Sequence, residues 1–148
     1  MPRFVAILTY AGLLPLLICA VLPYTGIAAL PVLGPYNTIA ASYAVMIAGF
    51  MAGTHWGIGL TQYRTNGQGL FFVSTALLLL AWLGWLVLPV LWVLGGLIPV
   101  FALLLVIDHR LYMLSVIQPG YYTLRLHVTG LVILLLILIA YQTWLNVP

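Results

Sequence analysis

Charge is nearly absent from this chain. Charged residues make up 3% of its 148 positions, and one acid, Asp108, stands against four arginines, with neither lysine nor glutamate present. A single carboxylate excludes catalysis by a pair of acids, and four scattered arginines are too few for a nucleic-acid surface. The lone cysteine excludes an internal disulfide and a cysteine-based zinc or iron–sulfur site. Because so few side chains could act as catalytic groups, we expect a protein that is not an enzyme.

Apolar residues dominate instead. They form 66% of the chain, and the mean hydropathy is +1.26, a composition that excludes a water-soluble globule. A membrane-crossing helix needs about 20 predominantly apolar residues, so the length provides for about five of them. The sequence therefore predicts an all-α integral membrane protein with one membrane domain, residues 1–148, folded as a five-transmembrane-helix bundle.

Turn residues and polar runs divide the chain into segments. Prolines and glycines predict a loop over 24–37, and polar residues predict two more loops, over 62–69 and 108–122. The uncharged stretch 70–107 is too long for one helix, so we divide it at a turn over 84–89. The predicted helices are 4–21, 38–61, 71–85, 90–107 and 123–144, with Asn37 as the N-cap of the second.

The arginines predict the orientation of the bundle. If the N-terminus is cytoplasmic, all four fall on the cytoplasmic side of the membrane, as the positive-inside rule requires; they are Arg3, Arg64, Arg110 and Arg125. Tryptophans and a tyrosine at 82–92 and 141–144 then cluster at the opposite ends of the helices as an aromatic belt. We expect the N-terminus to be cytoplasmic and the C-terminus to lie outside.

Small residues mark two faces of the second predicted helix, in and around GFMAGTHWGIG (49–59). Gly49, Gly53 and Gly57 share one sector, because each four-residue step turns the helix by only about 40° beyond a full turn. Small side chains let backbones approach, so we expect this face to pack closely against another helix. His55 projects with the second stripe of small residues, which comprises Ala44, Ala48, Ala52 and Gly59.

Two histidines are predicted at equal depth in the membrane. His55 lies six residues before Thr61, or about 9 Å from the inner end of its helix, and His127 lies six residues after Tyr121. If they face each other, the two imidazoles suit a bis-histidine haem, a metal site or a proton relay. Alternatively, each histidine donates a hydrogen bond to a carbonyl or hydroxyl group and fixes the packing.

Asp108 and Arg125 are predicted at the same inner interface. We expect Asp108 to form a structural ion pair with Arg125 or Arg110. The alternative is that these groups, together with His109 and Tyr122, bind an anionic lipid headgroup or a small acidic ligand. Arg125 and Thr129 share a helix face because they are four residues apart, and with Tyr122 they can line one polar cleft.

Four motifs resemble one family. They are SYAVMIAGFMAGTHWG (42–57), AWLGWLVLP (81–89), DHRL (108–111) and PGYYTLRLHVTG (119–130). In this order they are similar to the transmembrane protein 69 family, domain of unknown function 3429, over nearly the whole chain. The last two motifs are the most specific. The resemblance implies a multi-pass protein of the bacterial inner membrane, or a mitochondrial relative, and it implies no established activity, cofactor or catalytic residue.

Two classes of function fit these features. The first is a non-enzymatic accessory or assembly subunit that packs against other membrane proteins or a second copy, for example in a respiratory complex. The second is a binding or carrier protein for haem, a quinone, a lipid or a metal in the cytoplasmic half of the bundle. Its candidate ligand-binding residues are His55, Trp56, Tyr122, Arg125, His127 and Thr129.

Overall fold

Six α-helices make up most of the computed structural model, which describes residues 3–61 and 68–145. They are α1 (Arg3–Ala11), α2 (Leu14–Val21), α3 (Tyr36–Thr61), α4 (Gln68–Val87), α5 (Val90–Met113) and α6 (Pro119–Leu145). With the 3₁₀ turn Leu22–Thr25, α1 and α2 form one span, so the described chain has five segments long and apolar enough to cross a membrane. The predicted five-helix membrane bundle is confirmed, and the protein is a multi-pass membrane protein.

The first span is broken into α1 and α2, whereas the sequence predicted one helix over 4–21. At the break the N–H of Leu13 donates to the carbonyl of Tyr10, three residues back, instead of following the α-helical pattern. Pro15 lies just beyond and has no N–H to offer the preceding turn. The hydroxyl of Tyr43 on α3 donates to the carbonyl of Gly12 over 2.8 Å. A side chain of a neighbouring span thus satisfies one backbone group in the break.

The segment between the first two spans, predicted as a loop over 24–37, contains a small hairpin. Its strands, β1 (Ala29–Leu30) and β2 (Gly34–Pro35), pair antiparallel, and Gly34 adopts a φ of +85° that favours glycine. Helix α3 starts at Tyr36, so Asn37 lies inside its first turn and is not the N-cap that we predicted. Its Oδ1 accepts a hydrogen bond from the N–H of Thr38 over 2.8 Å.

The polar segment predicted as a loop over 108–122 is largely helical. Helix α5 continues past 107 to Met113, and α6 begins at Pro119 instead of 123. Polarity does not end these helices, because Asp108 and Arg125 are both buried and bond to each other inside the bundle. The turn predicted over 84–89 falls where α4 ends at Val87 and α5 begins after Pro89. Arg64 and the rest of 62–67 lie outside the described residues.

Helix α3 is the central helix, and it contacts α2, α4, α5 and α6. Its small residues explain this position, since alanines at 40, 41, 44, 48 and 52 are all at most 3% exposed and allow close approach. Larger side chains fill the spaces between α3, α5 and α6, among them Leu97, Phe101, Leu104 and Leu136, each nearly inaccessible. The alanine stripe is the face of α3 that packs into the bundle.

The glycine stripe of α3 behaves differently from this alanine stripe. Gly49 faces α4, where an added Cβ would come within 3.2 Å of a methyl group of Leu78. Gly53 and Gly57 are exposed, and nothing in the described chain lies within 4 Å of a Cβ built on either. Within the bundle, only the first of the three glycines makes the close helix contact that we predicted for all of them.

Candidate functional site

Three helices bring their polar side chains together around one carboxylate. Asp108, on the last two turns of α5, is completely buried. Its Oδ2 accepts a hydrogen bond from Nε of Arg125 on α6 over 3.0 Å, and its Oδ1 lies 2.8 Å from Nε2 of His55 on α3. The carboxylate therefore has a partner for each oxygen, as a buried charge requires. The ion pair between Asp108 and Arg125 is present, while Arg110 is exposed and forms no salt bridge within the described chain.

Arg125 is held from two sides. Besides the bond to Asp108, its Nη2 donates to Oγ1 of Thr54 over 3.1 Å, and the Thr54 hydroxyl donates to the carbonyl of Met51 over 2.7 Å. The ring of Tyr121 lies 5.7 Å from the guanidinium carbon, within the range of a cation–π interaction. A guanidinium carries five N–H donors, and these two bonds use only two of them among the described residues. The remaining donors have no acceptor among the described residues.

His55 is completely buried, and its hydrogen bond to Asp108 fixes its tautomer. A carboxylate only accepts, so Nε2 carries the proton and donates it to Oδ1. In the neutral ring Nδ1 is then an acceptor, and it has no hydrogen-bond partner among the described residues. The position of His55 follows from the alanine stripe, because it comes three residues after Ala52 and four before Gly59 on the face that packs into the bundle.

A cavity of about 480 Å³ adjoins this network, between the first span, α3 and α6. Its walls are mostly apolar, and Arg125 supplies their only charged group within the described chain. The lining residues are Val5, Leu8, Thr9, Gly12, Leu13, Tyr43, Met46, Ile47, Phe50, Met51, Arg125, Val128, Thr129 and Val132. The volume falls within the range of about 300–1,000 Å³ that is typical of small-molecule pockets.

The cavity opens sideways, towards the hydrocarbon of the membrane. Three of its lining residues, Leu8, Met46 and Phe50, are about 70% exposed and lie on the rims that α1 and α3 present to lipid. The break in the first span also lies on the wall, at Gly12 and Leu13. An apolar molecule can therefore enter from the bilayer without passing through water.

The candidate ligand residues separate into different places. Arg125 and Thr129 share the face of α6 that lines the cavity, as their spacing predicted. His127 lies between them in sequence but is exposed on the other side of α6, so the structure does not pair it with buried His55. On α3, Trp56 is about half exposed, and its Nε1 donates to Oγ1 of Thr75 on α4 over 3.0 Å.

Tyr122 does not join Arg125 and Thr129 in the cleft that we predicted. Its hydroxyl lies 3.0 Å from Nδ1 of His109, and its ring stacks on Tyr112 with centroids 4.7 Å apart. Both partners belong to the end of α5, so Tyr122 joins the ends of α5 and α6. Its neighbour Tyr121 is the tyrosine beside Arg125.

Sequence reasoning missed Thr54 and the whole contribution of the first span. Thr54 is next to His55, and threonine in a membrane helix usually bonds to its own backbone, so nothing distinguished it as a partner of Arg125. The apolar residues of 4–21 carried no signal of a cavity. The one available hint was GLLP (12–15), where glycine and proline together indicate a weak point in a membrane helix.

Comparison with known proteins gives one result. No curated protein and no solved structure matches the chain. A family model matches nearly all of it, which confirms the domain of unknown function 3429 inferred from the four motifs, whereas the relation to transmembrane protein 69 stays a prediction. By this match over residues 1–141, the chain belongs to the family described as protein of unknown function (DUF3429).

Proposed function

We propose that this protein binds an amphipathic small molecule within the membrane and does not transform it. The ligand enters the cavity between the first span, α3 and α6 from the bilayer, and its oxygen-bearing head contacts Arg125. The family resemblance supports the bacterial inner membrane as the location. With the N-terminus in the cytoplasm, the head of the ligand lies in the cytoplasmic half of the bundle.

One observation carries this proposal: an arginine held by two hydrogen bonds lines a cavity whose walls are mostly apolar. Ionisable groups inside a membrane are expensive and are usually functional. A purely structural arginine would have its donors used within the protein, whereas Arg125 lines the cavity with donors that no described residue accepts, while Asp108 and Thr54 hold it in place. Such a group selects a carbonyl, carboxylate or phosphate oxygen.

The same geometry favours a quinone or a lipid over haem or a metal ion. Nε2 of His55 is already bonded to Asp108, and the His55 ring does not line the cavity. His127 lies on the exposed side of α6. The two imidazoles are therefore not arranged to ligate one iron or metal ion from opposite sides, while an acyl or isoprenoid chain suits the apolar walls.

Filling the cavity tests the proposal. Val128→Trp places an indole in the cavity without touching the charge network, and Leu134→Trp adds the same side chain at a lipid-facing position of the same helix. The protein is purified in lipid nanodiscs, and bound molecules are extracted and identified by mass spectrometry. We expect the wild type and Leu134→Trp to retain one amphiphile in similar amounts. In Val128→Trp the retained amount should be at least about tenfold lower. Equal retention by both variants would contradict the proposal.

A second proposal is an accessory or assembly subunit that packs against another membrane protein. Its support is the open face at Gly53 and Gly57, where a helix of a partner or a second copy has room to approach. Gly53→Leu and Gly57→Leu would block this approach. We expect each to abolish a complex seen by native electrophoresis in mild detergent, while Gly95→Leu, at another exposed glycine, leaves it intact. Unchanged migration of all three variants would contradict this role.

A further inference from the structure

Two of the hydroxyl groups on the cavity wall are already bonded, and a third is not. Thr9 donates to the carbonyl of Val5 over 2.8 Å. Tyr43 donates to the carbonyl of Gly12 over the same distance. Thr129 lies on the same wall and is 1% exposed, but its hydroxyl forms no hydrogen bond within the described chain. A buried hydroxyl without a partner is costly, so this side chain is a second candidate contact for the ligand.

Thr129 is unusual among the threonines of the helices. Threonine in a membrane helix usually bonds to a backbone carbonyl three or four residues back. The hydroxyls that do so here are those of Thr9, Thr54, Thr123 and Thr143. Thr129 has the same option at the carbonyl of Arg125 and does not take it. Its side chain lines the cavity instead.

Arg125 supplies donors to the same wall but no unbalanced charge. Its guanidinium pairs with the carboxylate of Asp108 over 3.0 Å, and its further N–H groups have no acceptor among the described residues. A negatively charged head would add an unpaired charge beside a pair in which Asp108 is fully buried and Arg125 is 7% exposed. An unpaired buried charge costs far more than a hydrogen bond. A neutral oxygen accepts from the same donors and leaves the pair balanced.

We infer that the ligand is a neutral amphiphile with a carbonyl head, and that Arg125 and Thr129 both donate to this head. This inference rests on the proposed function and names the class of ligand. Residues four apart on a helix are neighbours, with Cβ atoms about 5–6 Å apart, and a carbonyl oxygen has two lone pairs. Quinones and lipid esters both carry such a head on an apolar chain. Thr129 is then a specificity-determining residue beside Arg125.

The cavity also determines where the tail of the ligand lies. Its volume of about 480 Å³ suits one small amphiphile. Because the hydroxyls of Thr9 and Tyr43 already donate to the backbone, the donors without a partner are together at Arg125 and Thr129. The rest of the wall is mostly apolar and receives the chain. The class of ligand is therefore one with a single polar end.

Four probes test the class of head. Methyl dodecanoate and decylbenzoquinone are neutral and carry carbonyl groups, dodecanesulfonate keeps its negative charge at any pH of interest, and tridecane has no oxygen. Each is titrated into nanodiscs with and without the protein, and the difference gives the binding to the protein. We expect at least one carbonyl probe to bind at least about tenfold more tightly than tridecane and dodecanesulfonate. The tighter of the two identifies the source of the head as an ester or a quinone.

Substitutions of Thr129 test its contact with the head. Thr129→Val keeps the shape of the side chain without the hydroxyl, and we expect it to raise the Kd of the tighter carbonyl probe about fivefold. Thr129→Ser, which keeps the hydroxyl, should bind like the wild type, and the Kd of tridecane should not change in Thr129→Val. The control is Thr143→Val, at a buried position of α6 outside the cavity whose hydroxyl bonds to its own helix. It should leave all four affinities unchanged.

Infrared spectroscopy of a ¹³C-labelled carbonyl probe reports the contact directly. Hydrogen bonds to the oxygen weaken the C=O bond, so its stretching frequency should be lower in the wild type than in Thr129→Val. A change in the stability of the protein alone would not shift this band.

The outcomes separate the inference from the proposed function. Tightest binding by dodecanesulfonate that Val128→Trp abolishes would overturn the neutral head, while the proposed function stands. An unchanged Kd and an unchanged carbonyl band in Thr129→Val would overturn the contact with Thr129. If no probe binds the wild type, or if every probe binds Val128→Trp as tightly, the proposed function fails, and the inference fails with it.

Discussion

Removal of the charge on Asp108 is the most direct test of the buried network. Asp108→Asn keeps the size of the side chain but replaces one acceptor oxygen by an NH₂ group. That group faces either Nε–H of Arg125, where two donors would meet, or Nε2 of His55, where the contact survives only if the imidazole proton moves to Nδ1. In either orientation the substitution leaves Arg125, a residue that is 7% exposed, without its counter-charge.

The expected loss is large compared with that of an ordinary polar contact. Removing one partner of a buried ion pair typically destabilises a protein by about 3–5 kcal/mol. Hydrogen bonds between membrane helices contribute only about 0.6 kcal/mol on average. If Asp108 stabilises the bundle as a charge, Asp108→Asn should lower the free energy of unfolding by about 3–5 kcal/mol. If Asp108 is only one more hydrogen-bond acceptor, the loss should be about 0.6 kcal/mol.

The measurement is reversible unfolding in mixed micelles, followed by the fluorescence of the five tryptophans. Arg125→Met, which removes the opposite charge at similar volume, and the double variant complete a double-mutant cycle. We expect each single variant to lose about 3 kcal/mol or more, and the double variant to lose less than the sum, because no unpaired charge remains. A loss below about 1 kcal/mol for Asp108→Asn, or additive losses, would refute the reasoning.

Further predictions concern positions around the network. Thr54→Val removes one hydrogen bond but no charge, so the free energy of unfolding should fall by only about 1 kcal/mol. His55→Ala should lower the free energy of unfolding by at least about 2 kcal/mol in the same assay, because His55 is buried. His127→Ala should lower it by close to nothing, because His127 is exposed. Equal losses would contradict the different positions of the two histidines. Gly34→Ala should cost about 1–2 kcal/mol because of its positive φ, whereas Gly95→Ala, in a helix with no neighbour within 4 Å of the new methyl group, should not destabilise. A reporter enzyme active only outside the cytoplasm, fused to the C-terminal end, should be active; activity of an N-terminal fusion instead would reverse the orientation.

The sequence was sufficient to predict the class of fold. Apolar segments of the right length are strong signals, because a bilayer tolerates little else, and the five spans agree with the structure. The boundaries were less accurate where polar residues lie on helices. The sequence predicted that a loop begins at Asp108, but a charged side chain that bonds to a partner inside a bundle does not interrupt the helix that carries it.

The candidate site could be predicted only in part. An ion pair of Asp108 with Arg125 or Arg110 followed from their shared depth and opposite charge, and the structure contains the pair with Arg125. The shared face of Arg125 and Thr129 followed from their spacing. Depth alone does not determine the direction in which a side chain points. Hence His55 and His127 appeared equivalent in the sequence, although one is buried against Asp108 and the other is exposed. The cavity depends on how three spans are arranged, which no local pattern records.

The order of the helices in the chain has a consequence for insertion into the membrane. Asp108 precedes Arg125 by 17 residues, so the carboxylate on α5 leaves the ribosome before the guanidinium on α6. The carboxylate lies about one and a half turns from the end of α5, close enough to the headgroups to remain hydrated during this interval. Arg125 then meets a carboxylate that also bonds to His55, so this one pairing joins α3, α5 and α6. We expect a chain without Arg125 to insert its helices but to accumulate in the membrane at a lower level than the wild type.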